Sequence, residues 1–449
     1  MHILIIHYHL RAGGVTRVIE SQTKILREQG HQVKIASSGP EKDWAGPGLI
    51  LPELDYQSEG TIPVERLLEQ NADLWIIHNP TLGLNVSYPR MIEAAATSGI
   101  SILMQIHDFV EDGRPANYQL VQGNRRLYPN APHIHYATIN RRDLEILKQA
   151  GIPQSRAHFL PNAVNPPTIR KKTPKETLVL YPVRGIRRKN LGELCLLAAH
   201  APPNTRFAVA LRSGAEEPAF LHDDWVRFSE EENLPIVFDV VGKHPDSFVS
   251  WLEESTHLVT TSINEGFGLT FLDPAFLNKP LIGRDLPEIT CDFVNYGTLY
   301  QSIPVSLELL PELETEYREK LAATMLAYGR KLETEELDQA WSEFSAGGTV
   351  DFGNLPEEYQ RRVIAKESLP ELSDWLKNAL LQEPQNVDTT PWTLGSYSGN
   401  LSRVVCSLQT PGEIEWILPE RILNQFLRPE KFHFLRSRLT SRDTRPTTD

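Results

Sequence analysis

The stretch TSINEGFGLTFLDPAFLNKPLIGRD (261–285) decides the fold, because its pattern is that of a strand end, a glycine turn, a helix and a second strand. A buried strand is predicted to end near Ser262, and residues 265–268 to form a tight loop that opens a helix over 269–277. Such a loop leaves the first N–H groups of the helix free, and together with the helix dipole they form an anion site. The stretch therefore predicts a phosphate site at the start of the helix.

Two carboxylates belong to this stretch, Glu265 in the loop and Asp273 in the helix. A fully helical path between them would separate them by ~12 Å of rise and ~80° of turn. They are therefore too far apart to hold one metal ion together. We expect them to contact two different parts of an extended ligand, such as the sugar and the ribose of a nucleotide sugar.

The same alternation of strands and helices extends outward from this stretch. The apolar β-prone runs are HILIIH (2–7), QVKIAS (32–37), LWIIHN (74–79), SILMQIHD (101–108), IHYATIN (134–140), ETLVLYPVR (176–184), RFAVALR (206–212), IVFDVVG (236–242), HLVTTS (257–262) and PLIGRD (280–285). Continuous runs of this kind are typical of parallel strands that are buried on both faces. A segment rich in Pro and Lys, without periodicity, separates the two series.

These patterns predict an α/β fold of two tandem Rossmann-like, doubly wound domains that face a cleft. The predicted parts are an N-terminal domain (1–165), a linker (166–176), a C-terminal domain (177–305) and a mainly helical extension (306–449), part of which crosses back to the N-terminal domain. Ligands bind outside the carboxyl ends of the strands in such sheets, so we expect the site in the cleft between the domains.

Composition limits the classes of partner. The 449 residues include 45 Lys and Arg against 58 Asp and Glu, a net charge of −13, which opposes general attraction to nucleic acid. Three cysteines without a CxxC pair favour a reducing compartment. No stretch approaches the ~20 apolar residues of a membrane helix, and MHILIIHYHL (1–10) is expected to be a buried strand, not a signal peptide. We expect a soluble, cytoplasmic protein without an integral membrane segment, and its oligomeric state stays open.

Five segments, in order and on this predicted architecture, resemble the retaining glycosyltransferases of the GT-B fold, in particular family 4. They are RAGGVTR (11–17) after the first strand, HD (107–108) after a central strand, LPNAV (160–164) before the linker, PVRGIRRKNLGE (182–193) after the first strand of the second domain, and the EGFGL stretch with its E-x7-E spacing. Asp273 stands where the family has glutamate and is one methylene shorter. The resemblance covers about residues 1–300.

The resemblance implies a role for each matching residue. Glu265 would contact hydroxyls of the donor sugar, and Asp273 would receive the ribose hydroxyls of the nucleotide. Arg184 and Lys189 would hold the diphosphate and offset the charge that develops on it as the glycosidic bond breaks. His107 would lie beside the donor sugar, near the reacting carbon. The other implied donor-binding residues are Gly13, Gly14, Gly266, Phe267, Gly268 and Leu269.

The implied reaction moves a hexose from a nucleotide-diphosphate sugar to a hydroxyl of an acceptor alcohol or glycan. In this family retention is explained by front-face attack through an oxocarbenium-like species, with the leaving phosphate taking the proton of the acceptor. The chain contains no D-x-D pair, so we expect neither a metal ion nor any cofactor besides the donor substrate.

Other functions stay open at this stage. Neither glycine turn satisfies GxGxxG and no P-loop occurs, which disfavours dinucleotide-dependent hydride transfer and P-loop chemistry. A GT-B sugar-nucleotide epimerase or hydrolase could use the same phosphate site. A non-catalytic GT-B partner subunit that binds sugar is the third alternative.

Several residues also have a purely structural interpretation. His107 could be an ordinary hydrogen-bonded histidine at a strand end, and the basic cluster of Arg184, Arg187, Arg188 and Lys189 could be solvated surface. A polar segment after His107 could face an acidic or phosphorylated acceptor, or could be a solvated loop. Its residues are Arg114, Asn117, Tyr118, Arg125 and Arg126.

Overall fold

The computed structural model describes residues 1–39, 42–56, 58–121, 126–212, 219–242, 245–293, 297–408 and 410–436. The strands of its first part are β1 (His2–Ile6), β2 (Gln32–Ser37), β3 (Leu49–Ile50), β4 (Leu74–His78), β5 (Ser101–Ile106), β6 (Tyr128–Asn130), β7 (Ile134–Thr138) and β8 (Ala157–Phe159). The helices between them are α1 (Gly14–Glu28), α2 (Val64–Leu68), α3 (Tyr88–Thr97), α4 (Pro115–Val121) and α5 (Arg141–Ala150). All of these strands except β6 form one parallel sheet in the order β3-β2-β1-β4-β5-β7-β8.

The strands of this first sheet are apolar because helices cover both of its faces. β4 and β7 are buried along their whole length. α1 turns Val18, Ile19 and Leu26 inward at the predicted helical spacing, and all three are buried. Since β1, β4 and β5 are parallel neighbours, their carboxyl ends meet at one edge of the sheet, where residues for a site can converge.

The second part repeats this architecture. Its strands are β9 (Thr177–Arg184), β10 (Thr205–Leu211), β11 (Ile236–Val237), β12 (His257–Thr260), β13 (Leu281–Arg284) and β14 (Thr298–Tyr300), and its helices are α6 (Leu191–Ala199), α7 (Ala219–Glu231), α8 (Pro245–Glu254), α9 (Leu269–Phe276) and α10 (Pro287–Thr290). The parallel sheet has the order β11-β10-β9-β12-β13-β14. The prediction of a strand over 236–242 is wrong beyond Val237, because Asp239 has a φ of 57° and turns the chain out of the sheet.

The extension contains β15 (Pro304–Ser306), β16 (Thr349–Asp351), β17 (Glu415–Ile417), α11 (Leu313–Ala327), α12 (Thr334–Phe344), α13 (Glu357–Lys366), α14 (Pro370–Ala379), α15 (Leu394–Ser407) and α16 (Pro419–Phe426). Its later elements pack on the first domain: β17 pairs with β6 in an antiparallel ladder, and Leu401 and Val404 of α15 join the core around β1 and α1. Of its earlier elements, α11 contacts α4 of the first domain, whereas α13 packs on α6 of the second domain. There the buried guanidinium of Arg284 bonds Glu193 at 2.7 Å and Asp351 at 2.8 Å.

These two parallel sheets with their helices confirm the predicted α/β class. Residues 160–176, which connect the sheets, contain neither helix nor strand. Within the described part of the chain, no helix combines the length and the apolar character needed to cross a bilayer.

Candidate functional site

The glycine loop (265–268) connects β12 to α9 and leaves the start of that helix open. Gly268 has a φ of 92°, and a Cβ there would lie 2.9 Å from Cγ2 of Ile289, so both backbone conformation and space require glycine. No side chain caps the helix, and Leu269 is exposed at its first position. The N–H groups of Leu269 and Thr270 therefore have no side-chain cap, and a phosphate site at this position stays a prediction.

Phe267 anchors the glycine loop from behind. Its side chain is buried in an apolar cluster with Ile139 of the first domain, Val164 of the connecting segment and Trp392 of the extension. The side chain is thus part of the core between the domains. Phe267 can contribute to ligand binding through its backbone.

Glu265 and Lys189 form a buried ion pair beside this loop. Lys189 ends a short 3-10 turn after β9, and Oγ1 of Thr261 donates to its carbonyl oxygen at 2.9 Å. A second cation follows, because Nη1 of Arg188 lies 3.5 Å from Oε2 of Glu265. Oγ1 of Thr270, in the first turn of α9, donates to Glu265 at 3.3 Å. The two cations and one carboxylate leave a net positive charge next to the uncapped helix.

Burial and charge act in opposite directions on this pair. Burial favours a raised pKa for Glu265, but Lys189 and Arg188 outweigh it and lower that pKa below its ordinary value. Burial lowers the pKa of Lys189, with Glu265 opposing the shift. The carboxylate is therefore ionised at neutral pH and stays bonded to its cations.

The basic cluster 187–189 is not simply solvated surface. Arg187 bonds Glu357 of α13 through Nε at 2.6 Å and Nη2 at 3.0 Å, which attaches the extension. Arg188 and Lys189 contact Glu265 instead. The alternative interpretation of the cluster as solvated surface is therefore wrong for Arg187, Arg188 and Lys189. Arg184, at the end of β9, has an exposed side chain that is accessible to a ligand.

The first domain approaches the glycine loop at two points. A Cβ on Gly266 would lie 3.6 Å from the carbonyl oxygen of His107. Nδ2 of Asn140 donates a 2.7 Å hydrogen bond to the carbonyl oxygen of Gly266. Asn140 also caps α5, because its side-chain oxygen accepts from the N–H of Asp143 at 2.7 Å. The loops of His107 and Glu265 therefore face each other across the domain boundary.

His107 is a neutral hydrogen-bonding group. Its backbone N–H donates to Oδ1 of Asn79 at 2.7 Å, and its Nε2 lies 3.0 Å from Nδ1 of His78, the last residue of β4. Burial lowers the pKa of His107 to about 4, against the opposing charge of Asp108. At neutral pH the ring can hydrogen-bond a sugar but carries no positive charge.

Asp273 is half-buried on α9, and its environment is unlike that of Glu265. Burial raises the pKa of Asp273 to about 7, and Arg17 of α1 acts to lower it. Gly13 and Gly14 begin that same helix, both are exposed, and a Cβ on Gly14 would meet no atom within 4 Å. The backbone at the start of α1 is thus open to a ligand.

The polar segment after His107 is mostly helical and paired. Asn117 and Tyr118 lie in α4, and the buried Tyr118 ring packs on Tyr328 of the extension. Arg114 pairs with Asp108 at 3.3 Å. Arg126 pairs with Glu93, and Arg125 lies outside the described residues.

Sequence reasoning missed three residues at this site. Arg188 was considered only as a member of the basic cluster, and His78 and Asn140 were not singled out. A signal for His78 exists, because LWIIH (74–78) ends with a histidine at a strand end, as SILMQIH (101–107) does. Among the described residues, no three His, Cys, Asp or Glu side chains are placed to hold a metal ion together.

Known proteins resemble this arrangement of domains. Anabaena HepE in complex with UDP superposes with a TM-score of 0.56 at 13% identity, covering 91% of this chain and 100% of that protein. The lipopolysaccharide outer core galactosyltransferase WaaB gives 0.51 at 15% identity, with 91% and 99% covered. The chain has the GT-B fold.

The GT-B chain also has a relative by sequence. Mannosylglucosyl-3-phosphoglycerate synthase of Petrotoga mobilis is 26% identical over 97% of this chain and 99% of the relative. No protein-family model matches. The predicted fold is thus confirmed, and the assignment to family 4 stays a prediction.

Proposed function

We propose that this GT-B chain is a retaining, metal-independent glycosyltransferase of the family 4 type. It transfers a hexosyl group from a nucleotide-diphosphate sugar to an acceptor hydroxyl. The observation that carries the proposal is the buried Lys189–Glu265 pair beside the uncapped start of α9, with the loop of His107 facing it. The groups that we propose to bind phosphate and those that we propose to bind the sugar thus lie side by side.

The proposed chemistry follows from the charges at the site. The bond between the anomeric carbon and the diphosphate oxygen breaks, the acceptor oxygen bonds to that carbon, and the acceptor proton passes to the leaving phosphate. Arg184, Lys189 and the N–H groups of α9 stabilise the negative charge on the diphosphate. Lys189 has three N–H donors, so it can keep Glu265 while it donates to phosphate.

Glu265 and Asp273 have the two different environments that such a donor requires. Glu265 stays ionised and accepts from hydroxyls of the sugar. Asp273, whose pKa burial raises to about 7, gains hydrogen-bond donors when ribose hydroxyls bind. The sugar therefore binds beside Glu265 in the glycine loop, and the ribose binds beside Asp273, farther along α9.

We further propose that the acceptor is a phosphoglycerate-bearing sugar and the transferred group a mannosyl or related hexosyl unit. The support is the name of the Petrotoga mobilis relative, which aligns along nearly its whole length with this chain. An acceptor that carries a carboxylate and a phosphate is negatively charged, so cations in the cleft are needed to bind it.

The test begins with nucleotide binding. Thermal unfolding is measured with UDP, GDP and ADP and with their hexosyl derivatives, since a ligand that binds only the folded chain raises the unfolding temperature. The stabilising donor is then incubated with glucosyl-3-phosphoglycerate, and with glucose as the acceptor that lacks the acidic group.

Each outcome distinguishes one function. A disaccharide product with the anomeric configuration of the donor supports the proposal, and an inverted product contradicts retention. Free hexose or an epimerised donor would assign the chain to the hydrolases or epimerases. Stabilisation by no nucleotide would favour a non-catalytic sugar-binding subunit.

A further inference from the structure

Three histidines lie at the carboxyl ends of neighbouring strands in the first sheet. His7 follows β1, His78 ends β4 and His107 follows β5, and all three are buried. The rings of His78 and His107 are stacked with centroids 5.2 Å apart, and those of His7 and His78 are 6.1 Å apart. His107 stands at the candidate sugar site, so the groups that hold its ring bear on function.

His78 is hydrogen-bonded at both ring nitrogens. Its Nδ1 lies 3.0 Å from Nε2 of His107, and its Nε2 lies 3.0 Å from Oε1 of Gln22. Gln22, on α1, donates through Nε2 to the hydroxyl of Tyr397 at 2.7 Å and to Oε1 of Gln105 at 2.5 Å. We call Tyr397, Gln22, His78 and His107 the histidine network.

The chemistry of each atom fixes the direction of these bonds. Oε1 of Gln22 can only accept, so Nε2 of His78 carries a proton. Burial holds the pKa of His78 well below its ordinary value, so the ring is neutral and its Nδ1 accepts. Nε2 of His107 is then the donor to His78. A neutral His107 is left with Nδ1 as a hydrogen-bond acceptor.

Nδ1 of His107 has no hydrogen-bond partner among the residues that the structure describes. We propose that Tyr397, Gln22 and His78 are positioning residues that hold His107 as the Nε2–H tautomer, so that its Nδ1 accepts a hydrogen bond from a hydroxyl of the transferred sugar. The sugar contact rests on the proposed function, whereas the tautomer follows from the network alone.

This network gives the extension a role at the site. Tyr397 lies on α15, where it is buried against α1 together with Leu401. Its hydroxyl holds the amide of Gln22 in one orientation by a hydrogen bond. The amide in turn orients the ring of His78, and His78 orients the ring of His107. A residue 290 positions after His107 in the sequence thereby sets the orientation of that ring. Because the ring is already held in one tautomer and one orientation, sugar binding costs no free energy for rearranging it.

The tautomer is measured directly by ¹⁵N NMR of the full chain labelled at histidine, because protonated and unprotonated ring nitrogens differ strongly in chemical shift. The signals of His107 are assigned by their loss in His107→Gln. The expected spectrum shows His107 protonated at Nε2 alone. A proton on Nδ1 of His107 in the wild type overturns the proposal, whatever reaction the protein catalyses.

Two variants break the network without touching the substrate. Gln22→Met keeps the length of the side chain and removes its three hydrogen bonds, to His78, Tyr397 and Gln105, whereas Tyr397→Phe removes a single hydroxyl. Tyr88→Phe is the matched control, since its buried hydroxyl has no hydrogen-bond partner in the described structure. Tyr397→Phe also keeps the test decisive if Gln22→Met folds poorly.

In both network variants we expect affinity for the nucleotide sugar to fall roughly tenfold, as for the loss of one well-placed hydrogen bond. Affinity for the free nucleotide diphosphate is expected to stay unchanged, because His107 contacts only the sugar. Equal changes for both ligands, or variants that match Tyr88→Phe, would overturn the positioning role. If the wild type transfers no sugar, the proposed function fails, and the NMR result still decides the tautomer.

Discussion

Nδ2 of Asn140 lies 2.7 Å from the carbonyl oxygen of Gly266, so a side chain of the first domain is hydrogen-bonded to the glycine loop of the second. The same side chain caps α5 through its oxygen. The amide does both because it carries a donor and an acceptor on one group and is long enough to reach the carbonyl oxygen of Gly266. The placement of the candidate phosphate site thus depends on how the two domains are joined.

Replacing Asn140 separates these two roles. Asn140→Ser keeps a cap oxygen and loses the reach to Gly266, so we expect weaker donor binding with a nearly unchanged unfolding temperature. Asn140→Ala removes the cap as well and should cost about 1 kcal/mol of unfolding free energy in addition. Isothermal titration with the donor and thermal unfolding of both variants provide the check. Full donor affinity in Asn140→Ser would show that the loop is held without this bond.

The Lys189–Glu265 pair allows stability and activity to be separated. Lys189→Met leaves a buried carboxylate whose remaining cation in the described structure is Arg188, and we expect it to lower the unfolding free energy by about 3 kcal/mol. Glu265→Gln should destabilise less, because the amide oxygen still accepts from Lys189, yet turnover should fall about 10²-fold. Denaturant unfolding and steady-state kinetics measure the two effects.

The double variant Lys189→Met with Glu265→Gln is the control for this pair. It removes both charges, so stability should recover relative to Lys189→Met, while activity should not. Near wild-type turnover in Glu265→Gln, or recovery of activity in the double variant, would contradict the proposed role of Glu265.

Arg184 should affect binding without affecting stability. Its side chain is exposed at the end of β9, so Arg184→Ala should leave the unfolding temperature unchanged and lower kcat/KM by about 10²-fold. Arg227→Ala, which removes an exposed arginine paired with Asp224 on α7, is the matched control. Equal nucleotide-diphosphate affinities in the two variants would place Arg184 outside the diphosphate site.

The fold could be predicted because its signals are local. Continuous apolar runs indicate parallel strands, and the spacing of Val18, Ile19 and Leu26 indicates α1, without any knowledge of distant contacts. The error at 236–242 has a local cause too, since a left-handed Asp239 ends the strand and apolar residues continue beyond it. The pattern of apolar residues alone does not show that Asp239 has a positive φ.

The site was less predictable because its pairings are long-range. Arg187, Arg188 and Lys189 are adjacent in sequence, yet the first bonds Glu357 of the extension and the other two contact Glu265. Which cation meets which carboxylate depends on the direction in which each side chain leaves a 3-10 turn. Packing between distant elements sets the direction of each side chain. The periodicity of the sequence does not show which distant elements pack together.

Nucleotide affinity should increase with pH because of Asp273. Its pKa in the free protein is raised to about 7, and ribose hydroxyls donate to the ionised carboxylate, so binding selects the deprotonated form. Kd should therefore fall as pH rises from about 6 to about 8, approaching tenfold per unit below the pKa. Asp273→Asn should abolish this dependence. A pH dependence that persists in Asp273→Asn would assign the titration to another group.

Transfer should also proceed without a divalent metal ion. A departing nucleotide diphosphate gains negative charge, which either a bound metal or fixed protein groups must stabilise. This chain supplies fixed groups: Lys189 and Arg188 sit beside the uncapped start of α9, and Arg184 ends the neighbouring strand β9. The two acids of the stretch also have different environments, since cations hold the pKa of Glu265 low and burial raises that of Asp273 to about 7.

We therefore expect the initial rate of transfer to persist in excess EDTA, with Mg²⁺ or Mn²⁺ changing it only modestly through binding to the released nucleotide. The Arg184→Ala variant sharpens this test. If protein cations stabilise the leaving group, added Mn²⁺ should partly restore the variant and leave the wild type almost unchanged, because a metal replaces charge only where charge is missing. Loss of wild-type transfer in EDTA and its return with Mn²⁺ would contradict the roles given to Arg184, Lys189 and the glycine loop.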